Sequence, residues 1–172
     1  NQSVYMNYGF APVTEEGCLQ LPPGLQGRLG CQLYAHVLSA SVRVLAGGPT
    51  STMASGISLA GAYSGLRTIE IGCGRCAGSA FLVRHLRPRA HTALDLVEEQ
   101  VQICRNTIRH DAASPVHTTF VQGSAVSIPF ADASFDVVVN VESSHTYPSW
   151  LRFACGVHRV LRPGGVFAWT DI

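Results

Sequence analysis

The stretch Thr68-Ile69-Glu70-Ile71-Gly72-Cys73-Gly74-Arg75-Cys76-Ala77-Gly78 limits the fold of this chain more than any other. An apolar strand runs into a glycine-rich turn, and the following Ser79-Ala80-Phe81-Leu82-Val83-Arg84-His85-Leu86 has the look of a helix. The alternation continues to the end of the chain. Strands are expected near 68–72, 91–95, 117–121, 135–141 and 165–171, with helices near 78–87, 97–109 and 149–161. Strands that alternate with helices imply parallel pairing through right-handed crossovers, so an α/β, doubly wound, mostly parallel Rossmann-like sheet is expected. In the helix after Pro148, the spacing of Trp150, Ala154, Val157 and Leu161 assigns them to the face that packs on the sheet.

The same turn points to a ligand. Gly72 and Gly74 let backbone approach a bound molecule closely, and the free N–H groups of the following helix point at it. Asp95 follows Gly74 by about 20 residues, the offset at which a second-strand carboxylate reaches a ribose diol. Gly72, Gly74 and Ala77 also fit the G-x-G-x-x-G/A pattern that cradles a pyrophosphate. Glu70 tilts the balance, since a carboxylate two residues before the first glycine repels a diphosphate and attracts an ammonium group. A cationic nucleoside is the favoured ligand.

Four blocks carry a family resemblance: Glu70-Ile71-Gly72-Cys73-Gly74, then Ala93-Leu94-Asp95-Leu96, then Val121 to Phe130 continuing as Ser134 to Val139, and Arg159-Val160-Leu161-Arg162-Pro163-Gly164-Gly165-Val166-Phe167. In order and spacing, residues 68–172 resemble a class I S-adenosylmethionine-dependent methyltransferase. More narrowly, Met6-Asn7-Tyr8-Gly9-Phe10 and Asn140 to Ser149 look like the small-molecule enzymes related to the phthiotriol and phenolphthiotriol dimycocerosate methyltransferases. The resemblance implies S-adenosyl-L-methionine as cofactor and a small lipid-like or polyketide-like hydroxyl compound as acceptor. Glu70 would contact the methionine ammonium, directly or through water, and Asp95 the ribose, with Gly72, Cys73, Gly74, Leu96, Ser124, Ala125 and Asn140 completing the cofactor site. His145 would be the base, as in sugar O-methyltransferases that it resembles, and Asp171 would orient its imidazole. Asp136 is assigned to structure.

Two positions depart from the family pattern. Cys76 stands where a third glycine is common, so its side chain would crowd the cofactor or force another backbone angle. Ser124 stands where an aspartate commonly takes the adenine amino group, which weakens the acceptor by roughly 1 kcal/mol. An inactive or regulatory member of the fold, and an NAD-type oxidoreductase, therefore remain as alternatives. The family normally adds two strands after the fifth, so the sheet is expected to lack its last two strands. That would leave an apolar edge at Val166, Phe167 and Trp169 open to self-association.

Residues 1–66 read as a proline- and glycine-rich lead-in, a helix from Arg28 to about Leu45 stopped by Gly47-Gly48-Pro49, and a Gly/Ser/Ala-rich connection over 47–65; residues 67–172 read as the cofactor-binding core. With 47% apolar and 13% charged residues and a net charge of +1, a folded domain without a basic nucleic-acid face is expected. No apolar run is long enough for a transmembrane segment, and a cytoplasmic setting is expected. The six cysteines are too scattered for a secreted disulfide framework and suit a reducing compartment. Cys73-Gly74-Arg75-Cys76 also has the form of a redox motif. No metal site is expected, because no second C-x-x-C or H-x-x-x-H accompanies it. His36, His85, His91, His110, His117 and His158 read as scattered polar residues.

Overall fold

A computed structural model describes residues 27–45, 59–109 and 116–172. The expectations for the lead-in, the stop at Gly47-Gly48-Pro49 and the connection up to residue 58 lie outside these residues.

Five strands form one parallel sheet: β1 (Arg67–Ile71), β2 (Ala90–Asp95), β3 (His117–Gln122), β4 (Phe135–Val141) and β5 (Leu161–Thr170), in the order β3-β2-β1-β4-β5. The doubly wound expectation holds. β4 is buried along its whole length because alternate side chains enter two different layers. Val137, Val139 and Val141 pack with α1 (Arg28–Leu45) and α2 (Leu59–Tyr63), whereas Val138 packs with Ile69, Ile71 and α5 (Trp150–Val160). A strand covered on both faces reads as an unbroken apolar run, and Val137-Val138-Val139 is that run.

The helix expected over 78–87 begins as α3 (Ala77–Phe81) and widens into a π turn over Leu82–Leu86, which Arg87 ends at a φ of 50°. The connection expected to reach residue 65 is helical over α2, because Tyr63 is fully buried and its hydroxyl lies 2.6 Å from Ser41 Oγ. The face expected for α5 is also corrected. Phe153, Val157 and Val160 are buried at the i, i+4, i+7 spacing, while Trp150 is half exposed and leans on Phe153 and Trp169. Gly156 presses close to Ile128, with room for only 3.0 Å to a Cβ, which lets the helix settle on that side.

β5 starts earlier than expected. Leu161 pairs with Phe135, residues 162–165 loop out around Gly164 at a φ of 78°, and pairing resumes at Val137 and Val166. Asp136 holds this junction, accepting from Arg67 N at 2.6 Å and pairing with Arg162 Nε at 2.5 Å. α4 (Glu98–Arg109) packs on β2 and β3. No helix of the described residues is long and apolar enough to cross a membrane.

Candidate functional site

A cavity of about 690 Å³ opens at the C-terminal ends of β1, β2 and β4, where chain order reverses across the sheet. Of the residues assigned to the cofactor, Gly72, Cys73, Gly74, Asp95, Leu96, Ser124 and Ala125 line it. Glu70 and Asn140 do not. Gly72 has a φ of 74° and a Cβ there would lie 2.6 Å from the Tyr147 hydroxyl, so both backbone angle and space demand glycine.

Asp95 ends β2 and organises the loop before any ligand arrives. Its Oδ2 accepts from Gly74 N at 2.8 Å and its Oδ1 from Val97 N at 3.0 Å, which ties the glycine loop to the turn that starts α4. Each oxygen keeps a second lone pair for a hydroxyl donor. Leu96 and Val97 stand 66% and 45% exposed beside it, an apolar wall for a flat ring. Ser124 Oγ accepts from Val126 N at 3.3 Å in a local turn. A carboxylate, a serine hydroxyl, glycine-loop backbone and apolar walls, with Arg75 the one arginine among the described lining residues, suit a nucleoside better than a diphosphate.

Glu70 sits apart from the cavity surface. It is fully buried, behind a wall made by Tyr34 and Gly78. Tyr34 OH donates to its Oε1 and Ser79 Oγ to its Oε2, each at 2.5 Å. Direct contact with a ligand therefore requires Tyr34 to move. A Cβ on Gly78 would overlap the Tyr34 ring and Glu70 Oε1, so glycine is what lets the carboxylate and the phenol meet. Burial raises the Glu70 pKa to about 7, against the pull of the Ser79 and Tyr34 hydrogen bonds and with a smaller push from the Asp95 charge.

Behind Glu70 lies His91, which the sequence gave no partner. It is buried, with Nε2 2.9 Å from Ser79 Oγ and Nδ1 2.8 Å from Thr68 Oγ1. Ser79 spends its one hydroxyl proton on Glu70, so His91 Nε2 carries a proton toward Ser79 and Nδ1 accepts from Thr68. Burial lowers the His91 pKa to about 3 and keeps it neutral. Nothing in the spacing of the sequence brings Tyr34, Ser79 and His91 together; only the crossing of α1, α3 and β2 does.

Asn140, also fully buried, is a brace rather than a cavity residue. Its Nδ2 lies 2.9 Å from Ile71 O, 2.7 Å from Ser143 Oγ and 2.9 Å from Tyr147 OH, locking the β1 end to the loop after β4. Burial holds the Tyr147 phenol up at about 12, opposed by hydrogen bonds with Ser143 and Asn140.

His145 and Asp171 do come together. His145 lines the cavity and its Nδ1 lies 2.6 Å from Asp171 Oδ1. Asp171 Oδ2 accepts from His145 N at 2.9 Å and from the Ser144 hydroxyl, which in turn takes a bond from Trp169 Nε1 at 3.0 Å. Burial pushes the Asp171 carboxyl up, but the Ser144, His145 and Ile172 donors outweigh it and hold it below its ordinary range.

The cysteines depart from the scattered pattern. Cys76 is bonded to Cys104 of α4, and Cys73 Sγ lies 3.6 Å from Cys104 Sγ. The C-x-x-C cysteines are thus not bonded to each other. Cys76 takes a φ of 66°, the backbone angle a glycine would take, and its fully buried side chain turns away from the cavity to α4. Burial, then the Glu70 and Asp95 charges, push the Cys73 thiol above its ordinary range.

With this geometry in place, comparison with known proteins identifies the class. The chain belongs to the methyltransferase domain family, whose model matches residues 69–169. It is 38% identical over 168 residues to the fatty-acid O-methyltransferase of Mycolicibacterium smegmatis, covering 98% of this chain and 52% of that protein. It is 44% identical over 109 residues to phthiotriol/phenolphthiotriol dimycocerosates methyltransferase 1 of Mycobacterium ulcerans, covering 63% of this chain and 38% of that one. The chain thus spans about half, or less, of these relatives. Among solved structures, the [4+2]-cyclase SpnF superposes with a TM-score of 0.66 at 20% identity, over 88% of this chain and 48% of that one, a likeness of fold.

Proposed function

We propose that this chain binds S-adenosyl-L-methionine in the cavity at the strand ends and promotes methyl transfer to a hydroxyl of a small lipid-like or polyketide-like acceptor. The observation that carries this reading is the His145–Asp171 pair, 2.6 Å apart, on the rim of a cavity floored by the glycine loop. When bound, the sulfonium supplies a methyl group already activated for in-line displacement. Asp95 and the loop backbone would hold the ribose, and Leu96 and Val97 would flank the base. The anionic Asp171 keeps the proton on His145 Nδ1, so Nε2 is the atom that accepts the hydroxyl proton. Ser144 and Trp169 hold Asp171 in place for that task.

The names of the two relatives, one acting on fatty acids and one on phthiotriols, support a lipid-like acceptor and suggest a second reading. A fatty-acid carboxylate is already ionised and needs no base. Methyl-transfer assays with a long-chain alcohol or phenol and with a long-chain fatty acid separate the two. On the hydroxyl reading, His145→Ala slows transfer by about 10²-fold with adenosylhomocysteine affinity unchanged. If transfer to the hydroxyl is as fast in the variant, the base assignment is wrong, and transfer to the fatty acid alone favours the second reading. We also propose that the outer edge of β5 takes part in self-association, which sedimentation reads directly.

A further inference from the structure

Three buried sulfur atoms meet beneath the glycine loop. Cys73 and Cys76 come from the loop and Cys104 from α4, and their Sγ atoms all lie within 4.8 Å of one another. Ala80, Val83, Ala93 and Ile108 enclose them in an apolar shell. The methyl-transfer reading makes no use of Cys76 or Cys104, neither of which lines the cavity.

The geometry is that of a soft-metal site. Two thiolates on one zinc-class ion, at bond lengths near 2.3 Å and tetrahedral angles, lie about 3.8 Å apart. Cys73 and Cys104 stand at 3.6 Å already. Opening the disulfide lets Cys76 Sγ complete the triangle with a shift of less than about 2 Å. A C-x-x-C pair is itself a spacing by which two ligands reach one metal. The carbonyl oxygen of Gly74, 3.4 Å from Cys104 Sγ and 4.0 Å from Cys73 Sγ, lies beside the site.

We propose that the reduced chain binds one thiophilic divalent cation of the zinc class through Cys73, Cys76 and Cys104, and that the Cys76–Cys104 disulfide is the oxidised counterpart of this site. A dithiol reductant transfers two hydrogens to the disulfide and closes its own, which leaves three cysteine thiols. Binding of the cation then forms three metal–sulfur bonds and releases three protons. The ion takes over the staple between the cofactor loop and α4 that the disulfide provides, so the cavity wall keeps its shape in reducing surroundings.

Cadmium ion alone is the probe, added to the full chain after reduction and removal of the reductant. The expected result is a thiolate-to-cadmium charge-transfer band that saturates at one ion per chain. Cys73, Cys76 and Cys104 are then protected from alkylation while the exposed Cys155 is labelled. The oxidised chain gives no such band. Cys73→Ser and Cys76→Ser weaken binding by at least about tenfold, and Cys155→Ser does not. Absence of the band in the reduced wild-type chain, labelling of the three cysteines despite cadmium, or equal binding by the oxidised chain overturns the proposal. The wild-type arms decide the matter even if a serine variant fails to fold.

Discussion

Glu70 and Asp171 are the same kind of group, one behind the wall of the cavity and one bonded to the cavity residue His145, and their surroundings give them opposite character. Glu70 is fully buried within β1 and receives two hydroxyl donors, one on each oxygen, and burial wins: its pKa rises to about 7. Burial works in the same direction at Asp171, but it meets the Ser144 hydroxyl, the His145 ring and two backbone N–H groups, and the carboxyl falls below its ordinary range. The balance of burial against hydrogen-bond donors decides whether a shielded carboxyl is pushed up or held down. Asp171, held down, suits a histidine base. Glu70, raised by burial and closed off by Tyr34, suits a structural role behind the cavity wall.

The largest effect that breaks this contrast comes from the crowding around Glu70. Gly78→Ala forces a Cβ into the Tyr34 ring and Glu70, and should cost about 3 kcal/mol of stability in denaturant unfolding. On the other side, Asp171→Asn removes the anion that fixes the His145 tautomer. Transfer to a hydroxyl acceptor should fall by about 10²-fold, roughly 2.7 kcal/mol, in the same assay, with little change in unfolding.

A comparable effect should appear in the pH dependence of stability. Glu70 is raised from 4.5 to about 7, so its favourable contribution is complete below pH 4.5 and is lost as pH rises through 7. His91 is lowered from 6.5 to about 3, so its contribution is complete above pH 6.5 and is lost as pH falls toward 3. Between pH 4.5 and 6.5 the two slopes oppose each other and stability should be nearly flat. Glu70→Gln leaves the His91 slope alone, and stability should then climb by roughly 2–3 kcal/mol across that window. His91→Gln should reverse the sign. A flat profile in both variants removes this account of Glu70 and His91. The smallest effect is Tyr34→Phe, which deletes one donor to Glu70 for about 1 kcal/mol and moves its pKa upward, read by carboxyl NMR titration.

Much of the fold was legible because its signals are local. The Val137-Val138-Val139 run marks the central strand, Gly72 marks the turn that needs a positive φ, and Asp95 falls at the end of β2 where the offset from Gly74 places it. The Asp171–His145 pair was legible only through resemblance, since its members are 26 residues apart and on separate elements. Tyr34, Ser79 and His91 were not legible, because a tyrosine on an amphipathic helix and a histidine in a strand carry no periodic or spacing signal. Cys104 hid for the same reason: its partners are 28 and 31 residues back, across a helix and a strand. The α5 face departs from the spacing that starts at Trp150, since Phe153 takes the sheet face and the larger ring of Trp150 takes the sheet rim against Trp169. Asn140 carries the motif's position, but its amide nitrogen is enclosed by the Ile71 carbonyl and the Ser143 and Tyr147 hydroxyls.

The measurement that tests the central claim most directly is calorimetric titration of the chain with adenosylhomocysteine, beside NAD and beside the Asp95→Ala variant. The account predicts one adenosylhomocysteine site per chain, no heat from NAD, and at least about tenfold weaker binding when the carboxylate that joins the glycine loop to the ribose position is removed. Heat from NAD alone, or equal adenosylhomocysteine affinity in Asp95→Ala, would contradict it.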